Sequence, residues 1–173
     1  MTVTRLISPA DATEVAALLT ANRDFLGPFE PVRSASYFTA DGQLTGIEDV
    51  LDRHAQGTVL PHVILDSGRI AGRITLNGIV RGPFLSCSVG YWVAESANGR
   101  GLATAALQEM VGIAFTRLGL HRVQAETLLD NIGSQRVLER NGFERIGMAP
   151  AYLRIAGRWQ DMILFQVLNK TLS

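Results

Sequence analysis

The run Asn98-Gly99-Arg100-Gly101-Leu102-Ala103 follows an apolar, strand-like segment, Val89-Gly90-Tyr91-Trp92-Val93, and opens a helical stretch predicted from Leu102 to Leu118. Two glycines let the backbone turn tightly and bring its N–H groups against an anion. The first turn of the following helix adds unsatisfied donors and the positive end of its dipole. The junction therefore predicts a phosphate cradle between a sheet and a helix, and with it a phosphorylated cofactor.

The rest of the chain narrows the class. Its 173 residues, 47% of them hydrophobic, predict one compact domain over residues 1–173. Sixteen basic residues balance sixteen acidic ones, and no basic stretch carries interleaved aromatics, so direct nucleic-acid binding is not expected. Cys87 is the lone cysteine, Met1 to Arg5 lack the layout of a secretion signal, and no apolar run approaches the roughly 18 residues of a membrane span. A cytoplasmic protein with no membrane partner is the expectation. His54, His62 and His121 have no metal-ligand spacing, so no metal is predicted.

Residues 3–7 alternate like a strand, and Ser8-Pro9-Ala10-Asp11 supplies cap chemistry for a helix with Val15, Leu18 and Leu19 on its apolar face. Gly27-Pro28-Phe29-Glu30-Pro31 breaks that helix. A second amphipathic stretch then carries Leu44, Ile47, Val50 and Leu51, the pair reading as a helix–loop–helix flap. His62–Asp66 and Arg69–Asn77 read as a hairpin across Asp66-Ser67-Gly68, with Ile70, Ile74 and Leu76 expected on one face. A strand from Phe84 to Val93 leads into the cradle and its helix, and a strand from Arg122 to Leu128 follows. Asp130-Asn131 caps a short helix that ends at Asn141-Gly142. Strands near Phe143–Gly147 and Tyr152–Val167, with a turn at Gly157, close the chain.

Two common phosphate-binding folds do not fit. A dinucleotide fingerprint needs glycine where Thr104 stands, and antiparallel hairpins precede the loop. A Walker loop needs a lysine, and the chain has none before Lys170. The loop instead resembles the pyrophosphate loop of the GNAT acetyltransferases, Q/R-x-x-G-x-G/A. Gly101 and Ala103 match it, and Asn98 stands where the family more often has Gln or Arg. Some thirty residues on, Asn131-Ile132-Gly133-Ser134 through Leu138-Glu139-Arg140-Asn141-Gly142-Phe143 resembles the family's N-x-x-S/A…L-x-x-x-G-F helix. More narrowly, Val80-Arg81-Gly82-Pro83-Phe84, Asn22-Arg23 with Glu30-Pro31-Val32-Arg33, and Tyr152-Leu153 with Gly157-Arg158-Trp159-Gln160-Asp161 resemble the Rim-type ribosomal-protein-alanine N-acetyltransferases.

The resemblance implies a mixed α/β fold with a largely antiparallel sheet, splayed between the Phe84–Val93 and Arg122–Leu128 strands. Acetyl-CoA would lie in the cleft. It implies cofactor contacts from Asn98, Gly99, Arg100, Gly101, Leu102 and Ala103, and from Asn131 and Ser134. The backbone at Tyr91, Trp92 and Val93 would receive the pantetheine arm and stabilise the oxyanion. Ser134 matches the position from which Rim-type enzymes protonate the departing thiolate. Leu138 stands where another branch of the family places a tyrosine acid. Glu126, five residues before Asn131, matches a glutamate used as base by some N-terminal acetyltransferases, and Glu30 in the flap is the competing base. Each carboxylate is also readable as an ion-pair partner, Ser134 as a helix-stabilising serine, and Asp161 as an ammonium attractor or a local hairpin brace. The implied reaction is acetyl transfer to a primary amine, at a protein N-terminus or on a small molecule, by a monomer or homodimer. A non-catalytic acyl-CoA sensor is the reading from another class.

Overall fold

A computed structural model describes residues 1–172. The strands are β1 (Thr4–Leu6), β2 (Leu60–Asp66), β3 (Arg69–Val80), β4 (Ser86–Val93), β5 (Arg122–Leu128), β6 (Glu144–Ile155) and β7 (Arg158–Leu168). The α-helices are α1 (Ala12–Ala21), α2 (Arg23–Leu26), α3 (Ala40–Ala55), α4 (Leu102–Thr116) and α5 (Ile132–Arg140). The strands form one seven-stranded sheet in the order β1-β2-β3-β4-β5-β7-β6, antiparallel throughout except where β4 runs parallel to β5.

Helices cover both faces of the sheet. α4 is apolar almost all round, and Ala106, Leu107, Met110 and Ala114 lie wholly buried against Ile64, Ile74, Leu76, Val89 and Val123 of the central strands. The alanines allow close approach, and the full burial of Leu107 and Met110 contributes about 1.5–3 kcal/mol apiece. On the opposite face Val15 and Leu19 of α1 and Ile47 and Val50 of α3 pack on Val63 and Ile70. A buried polar chain ties the cradle helix to the sheet edge. Glu109 of α4 accepts from the Val3 amide at 2.9 Å and from the Thr4 hydroxyl at 3.0 Å, and the Thr4 oxygen lies 2.9 Å from His62 Nδ1.

Three local expectations are corrected. Ile70 does not share a face with Ile74 and Leu76: a register shift between Ile64 and Leu65 sends Ile70 to the α1–α3 side and puts Ala71 on the α4 side. An extra residue in one strand of a pair reverses the alternation beyond it. The fourth strand begins at Ser86 rather than Phe84, because Leu85 takes a positive φ of 39° that interrupts the extended run and leaves Phe84 exposed. The sixth strand does not stop at Gly147. It continues to Ile155 through a second register shift between Ala149 and Leu153, where the Asp161 carboxylate accepts from the Ala151 amide at 2.8 Å. Asp161 is thus a local brace of the hairpin, whose turn at Ala156-Gly157 has both φ angles positive, as a tight two-residue turn requires.

Candidate active site

β4 and β5 are paired only over Ser86–Ser88 and Arg122–Gln124. Beyond Ser88 the two strands diverge, and the backbone of Val89–Val93 on that side has no strand partner. The divergence opens a cleft of about 490 Å³ floored by Tyr91, Trp92 and Val93, with the glycine loop on one wall and α5 on the other.

The loop is shaped for an anion. Gly99 and Gly101 take φ of +75° and +78°, and a Cβ at either would meet no protein atom within 4 Å, so both stand over open space. The first helical bond of α4 runs from the Ala105 amide to the Gly101 carbonyl at 3.0 Å, leaving the Leu102, Ala103 and Thr104 amides free at the helix N-terminus. Among the described residues the Gly99, Arg100 and Gly101 amides also donate to no acceptor. A run of free donors at the positive end of a fifteen-residue helix fits a pyrophosphate. Asn98 lines the cleft. The Arg100 side chain turns away to pair with Asp66 at the β2–β3 turn, so its contribution to the cradle is its backbone. The sequence had given no site role to two charged residues of the cleft. Arg136 and Arg140 of α5 line the wall facing the loop, and their i, i+4 spacing is the signal that places both on one helix face.

Asn131 and Ser134 stand together at the N-terminus of α5. The Asn131 side-chain oxygen caps the helix by accepting from the Ser134 amide at 3.2 Å. The Ser134 Oγ lies 2.8 Å from the Tyr91 hydroxyl, bridging the splayed strand to the helix across the cleft. Burial pushes the Tyr91 phenol up to about 12, opposed by that bond, so Tyr91 keeps its proton.

A second cavity of about 630 Å³ opens on the other side of β4. Its walls are Arg73, Thr75 and Asn77 of β3, Gly90 and Trp92 of β4, the inner side of α3, and the flap residues Glu30, Arg33 and Tyr37. Leu26, Phe29, Tyr91 and Trp92 line both cavities, so the two meet at the strand. The Ala156 amide donates to the Glu30 carbonyl at 2.8 Å and fixes the flap against the C-terminal hairpin. Burial pushes the Glu30 carboxyl above the ordinary carboxylate range, partly offset by Arg33 and Arg73. Burial likewise raises Glu126, partly offset by a backbone hydrogen bond, but Glu126 lines neither cavity. By register it shares the sheet face of Ser88 and lies across the splay from Gly90. Tyr152 and Trp159 are exposed on the hairpin and line neither cavity. Cys87 is buried, with its thiol pushed up to about 12, and is no nucleophile at neutral pH.

Residues 2–144 match the family model described as an acetyltransferase (GNAT) domain. The chain belongs to the GNAT acetyltransferases. Among GNAT relatives it is 34% identical over 167 residues to a probable N-acetyltransferase, YjcK, of Bacillus subtilis, covering 95% of this chain and 92% of the relative. It is 33% identical over 164 residues to the [ribosomal protein uS5]-alanine N-acetyltransferase of Escherichia coli, covering 94% and 84%. Among solved structures, Mycobacterium smegmatis RimJ in complex with CoA-disulfide superposes with a TM-score of 0.94 at 30% identity, covering 98% of this chain and 82% of that one. The mixed, largely antiparallel GNAT sheet expected from the motifs is borne out, including the position of the splay. The chain is a GNAT N-acetyltransferase, and the donor of that family is acetyl-CoA.

Proposed function

We propose that this enzyme transfers acetyl from acetyl-CoA to the N-terminal α-amine of a protein, a ribosomal protein being the first to test, with donor and acceptor bound together. The observation that carries this reading is the meeting of an anion-cradling cleft and a carboxylate-bearing chamber at Tyr91 and Trp92. The Escherichia coli relative acts on an alanine of ribosomal protein uS5. The chamber, at about 630 Å³ and open to solvent, has room for several residues of a chain end.

Acetyl-CoA supplies a thioester acetyl group. The Gly99–Ala103 amides hold its pyrophosphate, Arg136 and Arg140 add positive charge from the facing wall, and the unpaired edge of Val89–Val93 receives the pantetheine arm. An α-ammonium has no lone pair, so a proton must leave before attack. Glu30 faces the acceptor chamber with a raised pKa, and we assign it the proton, with Glu126 across the splay as the alternative acceptor. Ser134 Oγ donates to the leaving thiolate. The Tyr91 hydroxyl lies 2.8 Å from Ser134 Oγ and also donates to the Ser134 carbonyl at 3.3 Å, which fixes the seryl oxygen at the edge of the cleft. Tyr91 is thus a positioning residue for Ser134.

The test is thiol release from acetyl-CoA by the purified protein, across peptides beginning with Ala, Ser or Met and a panel of small amines. Release with peptides, acetylated on the α-amine by mass spectrometry, is the expected result. Release with small amines alone overturns the protein acceptor, and binding of acetyl-CoA with no turnover on any amine overturns the enzyme reading.

A further inference from the structure

Three arginines line the acceptor chamber, and they are not equivalent. Arg53 is held by Asp49 one turn away on α3, at 3.0 Å. The Arg33 guanidinium lies 4.5 Å over the Tyr37 ring. Arg73, on β3 opposite Trp92, is different: among the described residues its guanidinium makes no hydrogen bond and joins no ion pair. It is half-buried, and burial pulls its pKa down against the favourable influence of Tyr37 and Glu30, with Arg33 adding repulsion. A guanidinium has five N–H donors in a rigid fork, and with none of them answered by a protein acceptor all remain available to a ligand that enters the cavity. Glu30 lines the same cavity, also desolvated and also without an ion-pair partner. The chamber therefore presents a separate unpaired carboxylate and unpaired guanidinium to whatever enters it.

Resting on the proposed transfer to a protein N-terminus, we infer that Arg73 is a specificity-determining residue that reads a carboxylate on the acceptor, an acidic side chain within its first few residues, while Glu30 faces the α-amine. Planar carboxylates match the guanidinium fork bidentately. We place that carboxylate on a peptide side chain because the chamber is open and wide enough to admit a chain end. Selection is then set by one charge-assisted contact on a part of the substrate that takes no part in the chemistry.

The experiment compares paired peptides that begin with Ala and differ only by Glu or Gln at position 2, 3 or 4, with free alanine and aspartate as a separate arm. The readout is kcat/KM for the wild type, Arg73→Gln and Arg73→Lys, with acetyl-CoA affinity by calorimetry as the check that each variant is folded. The wild type is expected to prefer the Glu peptide by ~10-fold or more at one position at least, as a charge-assisted hydrogen bond supplies. Arg73→Gln brings the ratio to about 1 with acetyl-CoA affinity retained, and Arg73→Lys restores part of it. If Arg73→Gln does not fold, Arg73→Lys carries the comparison, and a Glu preference that it leaves wholly unchanged overturns the assignment to Arg73. Brisk acetylation of both peptides of every pair at equal rates overturns the inference and leaves the acetyl transfer standing. Acetylation of free amino acids but not of peptides overturns both the side-chain source and the protein acceptor.

Discussion

Gly101 and Gly57 form a matched pair that separates backbone strain from ligand exclusion. Both have φ of +78°, both are exposed, and a Cβ at either meets no protein atom within 4 Å. Gly101 caps α4 on the wall of the cleft, whereas Gly57 follows α3 and lines neither cavity. Alanine in the left-handed region costs about 1–2 kcal/mol, and the stiffer unfolded chain returns roughly 0.4–1. Each Gly→Ala variant is thus destabilised by about 1 kcal/mol, a fall of ~2–4 °C in Tm for a domain of this size. The methyl at Gly101 is additionally placed in open space on the wall of the cleft, where a bound phosphate would meet it. Losing one charge-assisted hydrogen bond to a phosphate costs ~1.5–3 kcal/mol, or about 10- to 100-fold in acetyl-CoA affinity. Scanning calorimetry and titration calorimetry on both variants supply the assay: equal small losses of stability, with affinity lost only in Gly101→Ala. Unchanged affinity in Gly101→Ala, or an equal affinity loss in Gly57→Ala, would refute the cradle.

Ser134→Ala is expected to lower kcat more than acetyl-CoA affinity, and Tyr91→Phe to lower it in the same direction but less, both read by steady-state kinetics; equal losses in kcat and affinity would make Ser134 only a binding residue. Glu30 must be ionised to accept a proton, so kcat/KM rises with pH through its folded pKa, which burial places above the ordinary carboxylate range. Glu30→Gln abolishes that limb and costs about 10²–10⁴-fold, whereas an unchanged limb transfers the role to Glu126. Burial lowers His62 from 6.5 to about 4, so the unfolded chain takes up the proton first and acid favours unfolding. Stability should fall from pH 6.5 down to about 4 by up to about 3 kcal/mol, and His62→Gln should remove that slope in urea titrations.

The parts of the fold that local chemistry dictates were legible in the sequence. Arg122–Leu128 is a strand with the bounds its alternation marks, Asn131 caps α5, and two glycines turn β4 into α4. Register was not legible, since nothing in Arg69–Asn77 announces the bulge that turns Ile70 to the other face. The continuation of β6 through Ala151 was hidden for the same reason, because its bulge is held by Asp161 from the neighbouring strand. At the site, the loop and Ser134 came from motifs, while the Tyr91–Ser134 contact spans 43 residues and exists only once the sheet has splayed. Arg73 reads in the sequence as an ordinary polar position of a hairpin, and only the fold encloses it beside Glu30 and Tyr37.

Direct transfer is the central claim, and it requires both cavities to be filled at once. Initial rates measured while acetyl-CoA and the best peptide are varied together test it most directly. The account predicts double-reciprocal lines that intersect, because the cavities meet at Tyr91 and Trp92 and the buried Cys87 thiol is no acyl carrier. Parallel lines, with an acetylated enzyme isolable in the absence of peptide, would contradict it.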